Sequence, residues 1–270
     1  MAFKDKISVN GFTTEYIKFG TGKKTLVILP GLSIQSVVSV ADAIEKQYAV
    51  FLDKYTVYLF ERRQELPVNY SVYGMADDIY TVLRALNIND ICLFGVSQSG
   101  MIAMLLTAEH PELVDRLAVC STAAYIDSAR ASVINEWIFL ASQKRVEDLY
   151  LSFAKSVYPE KIFAQYKDIW INAAQSVTDR ELEHFIGLAK ATEGFDIRKQ
   201  LNKITCPVLV VGDRQDTVLG LSATEEITDC IKNNLSVRVY VYNGFGHAVY
   251  DTAPDFTQRL YNFFEERKNK

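Results

Sequence analysis

The sequence predicts an α/β fold: a mostly parallel central β-sheet of about eight strands, with helices on both faces and one helical insertion. Short runs of apolar residues recur along the chain, and their continuity predicts strands that are covered on both faces. Segments with helical spacing separate these runs, and strands that alternate with helices form parallel sheets. The predicted strands are residues 6–9, 14–19, 25–29, 56–60, 91–94, 117–120, 208–211 and 237–241.

Local signals justify the individual elements. The first two strands flank Asn10-Gly11, a dipeptide that favours the tight turn of a β-hairpin. Met75, Ile79 and Val82 are spaced so that they share one face of a helix. Pro254 suits the first turn of a last helix. The predicted helices are residues 34–48, 75–86, 98–110, 223–232 and 254–267, and residues 122–203 show helical patterns only, which predicts the insertion.

The stretch from residue 92 to residue 103 is the most informative part of the chain. An apolar strand is followed by a turn of small residues that carries Ser97, and then by an apolar helix. This order is typical of a nucleophile elbow, in which the serine occupies a strained backbone position with its hydroxyl exposed. Gly95, Ser99 and Gly100 supply the small neighbours that so sharp a turn requires. The alternative is that Ser97 only caps the helix.

A serine hydroxyl needs a base within hydrogen-bond distance and a third group that orients this base. His247 is our candidate base, because it lies in a glycine-rich loop after a predicted strand, where open α/β sheets place their chemistry. A loop histidine without a task is the alternative. His110 precedes Pro111 at the end of a helix, and we expect it to cap that helix. His184 lies among glutamates, and we expect it on a solvated helix face.

Asp213 and Asp216 compete for the role of the orienting acid, since both follow a predicted strand. Asp213 stands next to Arg214 and suits an ion pair or a turn. Asp216 lies deeper in the loop and precedes apolar residues, so we expect it to be buried at the sheet edge and to orient His247. For either aspartate, a purely turn-forming role remains open.

Two backbone amides are our candidates for an oxyanion hole. Gln98 directly follows the serine, so its N–H is the first donor. The second is the N–H of Leu32, in a turn where Gly31 lets the backbone approach the site. A simple turn at Pro30-Gly31 is the alternative.

The order Ser97, Asp216, His247, each after an apolar strand, resembles the α/β-hydrolase family. The resemblance covers nearly the whole chain. It implies a serine hydrolase that cleaves a carboxylic ester or related acyl bond of a small, largely apolar substrate, with no cofactor and no metal. Two positions depart from the common family pattern: Val96 and Pro30 stand where many members have histidine.

The resemblance also implies that residues 123–200 form a helical cap over the site and that residues 1–122 and 201–270 form the core domain. Some cap residues could line the substrate pocket, although we expect most of them to pack the cap onto the core. These residues are Trp137, Ile138, Phe139, Leu140, Tyr150, Phe153, Tyr158, Phe163 and Trp170. Three other functions stay open on this fold: a non-catalytic ligand-binding or signalling protein, a carbon–carbon bond hydrolase and an amidase.

The composition argues against some classes of binding partner and cellular location. The 270 residues carry a net charge of −4, and Lys and Arg form no cluster longer than a pair before the C-terminal tail, which argues against a nucleic-acid partner. No apolar run follows the N-terminus, so we expect neither a signal peptide nor a membrane span. Four scattered cysteines without C-x-x-C spacing fit a cytoplasmic protein without a metal or redox motif.

Overall fold

The computed structural model describes residues 2–231 and 233–266, and its centre is a single eight-stranded sheet. All of the predicted strands are present, and each of them extends beyond its predicted bounds by one to four residues. The strands are β1 (Phe3–Val9), β2 (Phe12–Phe19), β3 (Lys24–Leu29), β4 (Tyr55–Arg63), β5 (Ile91–Val96), β6 (Val114–Cys120), β7 (Val208–Asp213) and β8 (Val237–Tyr242).

The strand order is β1-β2-β4-β3-β5-β6-β7-β8. The pairs β1–β2 and β2–β4 are antiparallel, and every pairing from β4 to β8 is parallel. The predicted hairpin is confirmed, with Asn10 and Gly11 at φ values of 48° and 80° in its turn. Because the later strands are parallel, their carboxyl ends lie along one edge of the sheet.

The helices flank the sheet in the predicted alternation. They are α1 (Ala41–Gln47), α2 (Val72–Ala85), α3 (Gln98–Glu109), α4 (Ser128–Ser142), α5 (Val146–Val157), α6 (Glu160–Ala174), α7 (Asp179–Lys190), α8 (Leu221–Cys230), α9 (Val249–Thr252) and α10 (Phe256–Glu265). Residues 232 and 267, where two helices were predicted to end, lie outside the described residues.

The helix predicted over residues 34–48 is wrong at its start. Residues 31–36 form a loop, and a 3-10 turn at Val37–Val40 precedes α1. The Ser36 side chain accepts the N–H of Val38, and the Glu61 carboxylate accepts the N–H of Val37 at 2.9 Å. These side chains satisfy the amides that an earlier helical turn would have used, so the helical conformation begins only after them.

The central strands β3, β5, β6 and β7 are buried on both faces, as their continuous apolar runs predicted, whereas the edge strands β1 and β8 are largely exposed. Along β3, Val27 and Leu29 belong to one apolar cluster, which includes α2, α3 and α8. Leu26 and Ile28 point the other way and pack with residues of α1 and α10. Helix α3 is buried along nearly all of its length, from Gln98 to Ala108. The residues around Ser97 are therefore held by a packed sheet on one side and a packed helix on the other.

Helices α4–α7 all lie between β6 and β7, in the segment for which only helical patterns were predicted. The two ends of this segment come together at an isolated bridge between Tyr125 and Asp196. Backbone hydrogen bonds flank the bridge, from the Ile126 amide to the Phe195 carbonyl and from the Ile197 amide to the Ala124 carbonyl. The segment thus leaves and rejoins the sheet at one place.

Candidate active site

Ser97 occupies the strained turn that the small-residue pattern predicted. Its φ and ψ values are 52° and −125°, and it stands at the N-terminus of α3 without a capping hydrogen bond from its side chain. The Ser97 amide donates to the Cys120 carbonyl at 2.9 Å, and the Thr122 hydroxyl donates to the Ser97 carbonyl at 2.7 Å. These bonds hold the backbone and leave the hydroxyl free of the capping role.

Close packing explains the glycines of the elbow. A β-carbon on Gly95 would lie 2.4 Å from the Ser99 carbonyl oxygen, and one on Gly100 would lie 2.5 Å from the Thr122 side chain. Both contacts are far inside van der Waals distance. Strand β5 can therefore approach α3 this closely only with glycine at position 95, and α3 can approach the segment after β6 this closely only with glycine at position 100.

The structure brings the three predicted side chains together. The Nε2 atom of His247 lies 2.9 Å from the Ser97 hydroxyl, and its Nδ1 atom lies 3.0 and 2.9 Å from the two carboxylate oxygens of Asp216. His247 is only 4% exposed. The histidine loop is fixed from outside the sheet as well, because the Ala248 amide donates to the Val157 carbonyl at the end of α5.

Asp216 is held in an environment that keeps it ionised. Its Oδ1 atom accepts the amides of Val218 at 2.8 Å and Leu219 at 3.1 Å. Burial by itself would raise the pKa of Asp216, but the charge and hydrogen bond of His247, together with these two amides, lower it below its usual value.

Asp213, the competing aspartate, has a different role. It is the last residue of β7 and is fully buried. One of its carboxylate oxygens accepts the Gln215 amide at 2.7 Å, and the other accepts the Phe245 amide at 3.0 Å. Asp213 therefore links the loop that carries Asp216 to the loop that carries His247. Its carboxylate accepts hydrogen bonds from these backbone amides and not from the imidazole.

The two predicted oxyanion donors flank the serine. Gln98 is the first residue of α3, and Leu32 lies in the turn that follows β3. Within the described ranges, neither amide donates a hydrogen bond to another residue. A β-carbon on Gly31 would lie 3.4 Å from the Ser97 β-carbon, which shows how near this turn comes to Ser97.

Two further residues hold this turn, and the sequence pattern did not predict that role for either of them. The carbonyl of Pro30 accepts hydrogen bonds from the Arg62 guanidinium and from the hydroxyl of Ser99. Ser99 was predicted only as a small neighbour of the nucleophile. Arg62 carries no sequence signal, because it reaches the site only through the pairing of β3 with β4.

A cavity of about 310 Å³ opens above Ser97 and His247. Five of the nine aromatic or aliphatic residues considered as possible pocket residues line it, and the other four do not. The lining members are Trp137, Tyr150, Phe153, Tyr158 and Trp170. No pattern in the sequence pointed to Gln35, which also lines the cavity and accepts the hydrogen bond of the Tyr150 hydroxyl at 2.8 Å.

The other two histidines lie away from this cavity. His110 is the C-cap residue of α3, as predicted, and its ring stacks on Tyr80 with 3.6 Å between centroids. The expectation of a solvated His184 is wrong. Its ring is partly buried, because Nε2 makes a 2.8 Å hydrogen bond with the Arg63 carbonyl.

A family model described as alpha/beta hydrolase fold matches residues 24–254. The chain belongs to this family. It is 28% identical over 205 residues to a protein of Serratia proteamaculans (strain 568) that is named as a carbamate hydrolase, RutD, with 69% of this chain and 70% of the relative covered. It is 24% identical over 221 residues to 3-oxoadipate enol-lactonase 2 of Acinetobacter baylyi, with 80% of each covered.

Solved structures superpose on nearly the whole chain. The enol-lactonase from Burkholderia xenovorans LB400 has a TM-score of 0.83 at 19% identity, over 97% of this chain and 100% of that one. MGS-M2, an alpha/beta hydrolase enzyme from a Medee basin deep-sea metagenome library, has a TM-score of 0.87 at 18% identity, over 98% and 99%. At these identities the likeness establishes the fold alone.

Neither a helix able to cross a membrane nor a cluster of metal-ligating side chains occurs within residues 2–231 and 233–266. None of the helices there combines the length and the apolar character that crossing a membrane requires. No group of at least three His, Cys, Asp or Glu side chains is placed there to hold a metal ion.

Proposed function

We propose that this protein is a serine hydrolase that cleaves a carboxylic ester or a related acyl bond of a small, largely apolar substrate. The observation that carries the proposal is the unbroken hydrogen-bonded array from Asp216 through His247 to Ser97 beside a cavity. These groups in this order make a serine nucleophilic. The names of the relatives, a carbamate hydrolase and an enol-lactonase, support acyl-bond hydrolysis as the reaction class.

In the first half of the reaction, Ser97 Oγ attacks the acyl carbon and its proton moves to Nε2 of His247. Ionised Asp216 accepts the N–H at Nδ1, which keeps Nε2 free to take that proton and stabilises the imidazolium that forms. The tetrahedral intermediate then collapses. The bond to the leaving group breaks, the leaving group takes the proton from Nε2, and the acyl group remains on Ser97.

In the second half, water attacks the acyl carbon and gives a proton to His247. Collapse releases the carboxylic acid and returns the proton to Ser97. In both halves, negative charge develops on the former carbonyl oxygen, and we assign its stabilisation to the amides of Leu32 and Gln98. One such donor contributes about 2.7–4 kcal/mol to transition-state stabilisation.

The cavity supports a small, apolar acyl group. Its volume of about 310 Å³ lies at the lower end of small-molecule pockets, and four aromatic side chains from α4, α5 and α6 line it together with the segment that follows β3. We therefore propose that residues 123–200 act as a cap that covers the acyl group, on a core of residues 1–122 and 201–270. Three cavity residues illustrate the cap's contribution: Trp137, Phe153 and Trp170.

Covalent labelling with a fluorophosphonate, followed by hydrolysis of p-nitrophenyl esters of increasing acyl length, tests the proposal. We expect the wild type to be labelled at Ser97 and to prefer short acyl chains. Ser97→Ala should prevent labelling and lower ester hydrolysis by about 10⁴-fold or more. Ser128→Ala, which alters an exposed serine at the start of α4, is the matched control and should behave as the wild type. Labelling of the wild type at another residue, or none, would overturn the proposal.

A further inference from the structure

Arg62 is a buried arginine whose charge is not paired by a salt bridge in the described part of the chain. It is 5% exposed and lies near the end of β4. Its Nη2 atom donates to the Pro30 carbonyl at 3.0 Å and to the Ser99 hydroxyl. Its Nε and Nη1 atoms have no hydrogen-bond partner, and within residues 2–231 and 233–266 its guanidinium forms no ion pair. An unpaired buried charge is costly, so its retention calls for a physical reason.

Ser99 completes the contact. Its hydroxyl accepts a hydrogen bond from Arg62 and donates one to the Pro30 carbonyl, which therefore receives two donors. Ser99 stands two residues after the nucleophile, and its side chain is fully buried. The three groups link the end of β4, the turn after β3 and the first turn of α3.

We propose that Arg62 and Ser99 are positioning residues. They hold the turn at residues 30–32 in place and thereby position the Leu32 N–H to stabilise the oxyanion. The inference rests on the proposed serine hydrolase function. Pro30 lies two residues before Leu32, and the residue between them is Gly31, which has no side chain to anchor the turn. Because glycine is conformationally permissive, the position of the Leu32 amide depends on how firmly the Pro30 carbonyl is held.

The lack of a salt bridge to Arg62 among the described residues has a consequence for the reaction. A carboxylate paired with Arg62 would place a negative charge close to the turn that must stabilise an oxyanion. The buried guanidinium instead keeps a positive charge close to the turn, and the Glu61 carboxylate, which accepts hydrogen bonds from Ser36 and Val37, interacts with this charge without forming a salt bridge in the described part of the chain. Burial lowers the pKa of Arg62, and the charge of Glu61 opposes this effect. An arginine side chain nevertheless stays protonated at neutral pH.

The test compares Arg62→Met, Arg62→Lys and Ser99→Gly with the wild type. Arg63→Met is the matched control, because Arg63 is the next residue of the same strand and pairs with Asp78 at 3.1 Å instead of contacting the turn. For each protein, kcat and KM are measured with p-nitrophenyl butyrate. Affinity for butylboronic acid, whose tetrahedral adduct with the serine places an oxygen in the oxyanion hole, is measured as well, together with the melting temperature.

We expect Arg62→Met to lower kcat about 10-fold or more and to weaken boronate binding in parallel, with KM little changed, because the turn acts mainly on the transition state. Its melting temperature should stay the same or rise, since an unpaired buried charge is replaced by an apolar side chain of similar length. Arg62→Lys, which keeps a donor and the charge, should recover most of the rate. Ser99→Gly should lower kcat about three- to tenfold, because the Pro30 carbonyl loses one of its two donors while Arg62 still supplies the other. Arg63→Met should keep the wild-type kcat.

An Arg62→Met protein with wild-type kcat and boronate affinity would overturn the inference. The inference would also be overturned if activity fell only as the melting temperature fell, while the boronate affinity of each folded molecule stayed constant. That result would show that Arg62 has a purely structural role. If Arg62→Met does not fold, Ser99→Gly decides by the same criteria. If the wild type neither hydrolyses the ester nor reacts with a fluorophosphonate, the proposed function itself is refuted. If the wild type is active and Arg62→Met and Ser99→Gly have the same kcat and boronate affinity as the wild type, only this inference is refuted.

Discussion

Replacing Asp216 by asparagine should inactivate the site by changing the tautomer of His247. Oδ1 of Asp216 faces the amides of Val218 and Leu219 at 2.8 and 3.1 Å. In Asp216→Asn the side-chain oxygen must keep that position, because an NH₂ group there would face two N–H donors. The NH₂ group then takes the place of Oδ2, which lies 2.9 Å from Nδ1 of the imidazole.

An NH₂ donor at that distance forces Nδ1 to be the acceptor and places the ring proton on Nε2. The Nε2 atom lies 2.9 Å from the Ser97 hydroxyl and can no longer accept its proton. A base held in the wrong tautomer costs about 10⁴-fold in kcat, which corresponds to about 5.5 kcal/mol of the activation free energy. The fold should change little, since the asparagine keeps both loop hydrogen bonds.

Asp213→Asn is the matched control, because Asp213 is also buried but contacts only the amides of Gln215 and Phe245. Its asparagine can accept one of these amides and must oppose the other, so we expect a loss of about 1–3 kcal/mol in the free energy of unfolding. Activity per folded molecule should stay within about tenfold of the wild type, because the imidazole tautomer is untouched. Ester hydrolysis and urea unfolding of both variants check this. An Asp216→Asn protein within about tenfold of wild-type kcat, or a larger loss in Asp213→Asn, would refute the reasoning.

Two further predictions concern packing and pH. In Gly95→Ala the new methyl group would lie 2.4 Å from the Ser99 carbonyl oxygen. The free energy of unfolding in urea should therefore fall by about 1–3 kcal/mol, and the rate of ester hydrolysis should fall as well. Unchanged values of both would contradict the close approach. Glu265 accepts hydrogen bonds from Lys24, Lys54 and Tyr55, and these contacts outweigh burial and lower its pKa from 4.5 to about 2. Because the folded-state pKa is depressed, its stabilisation is complete above the unfolded value and is lost as the pH falls through the folded one. Glu265→Gln should therefore cost about 1 kcal/mol at neutral pH, discounted for solvent screening, and progressively less at acidic pH; a difference independent of pH in urea unfolding would argue against this contribution.

The sheet and the elbow could be predicted because their signals are local. The apolar runs of β5 and α3 require burial on every side, and the small residues between them permit only a sharp turn at Ser97. His247 was predictable as the histidine of a loop after a strand. The choice of Asp216 had a weaker basis. It rested on expected burial, yet Asp213 is more buried than Asp216, at 0% against 9% exposed, and only the distance to the imidazole separates the two.

The errors have one physical origin, which is contact between segments far apart in the sequence. The start of α1 depends on Glu61, a residue of β4 that accepts the Val37 amide. The burial of His184 depends on the Arg63 carbonyl, also on β4. Periodicity reports which face of an element is apolar, but it does not report which strand end the polar residues of that element will meet.

The strand order explains why the roles of Arg62 and Ser99 cannot be predicted from local sequence patterns, although both residues contact the same turn. Strand β3 lies between β4 and β5, so the turn that carries Leu32 has the end of β4 on one side and the elbow on the other. The parallel register pairs Ile28 with Leu59, and continuing it past the strand end places residue 62 beside the turn. Arg62 reaches the Pro30 carbonyl from β4 and Ser99 reaches it from α3, and the two donor groups also contact each other. A hydrogen-bond donor at each of these two positions therefore ties the turn to both β4 and α3, which neither could do alone.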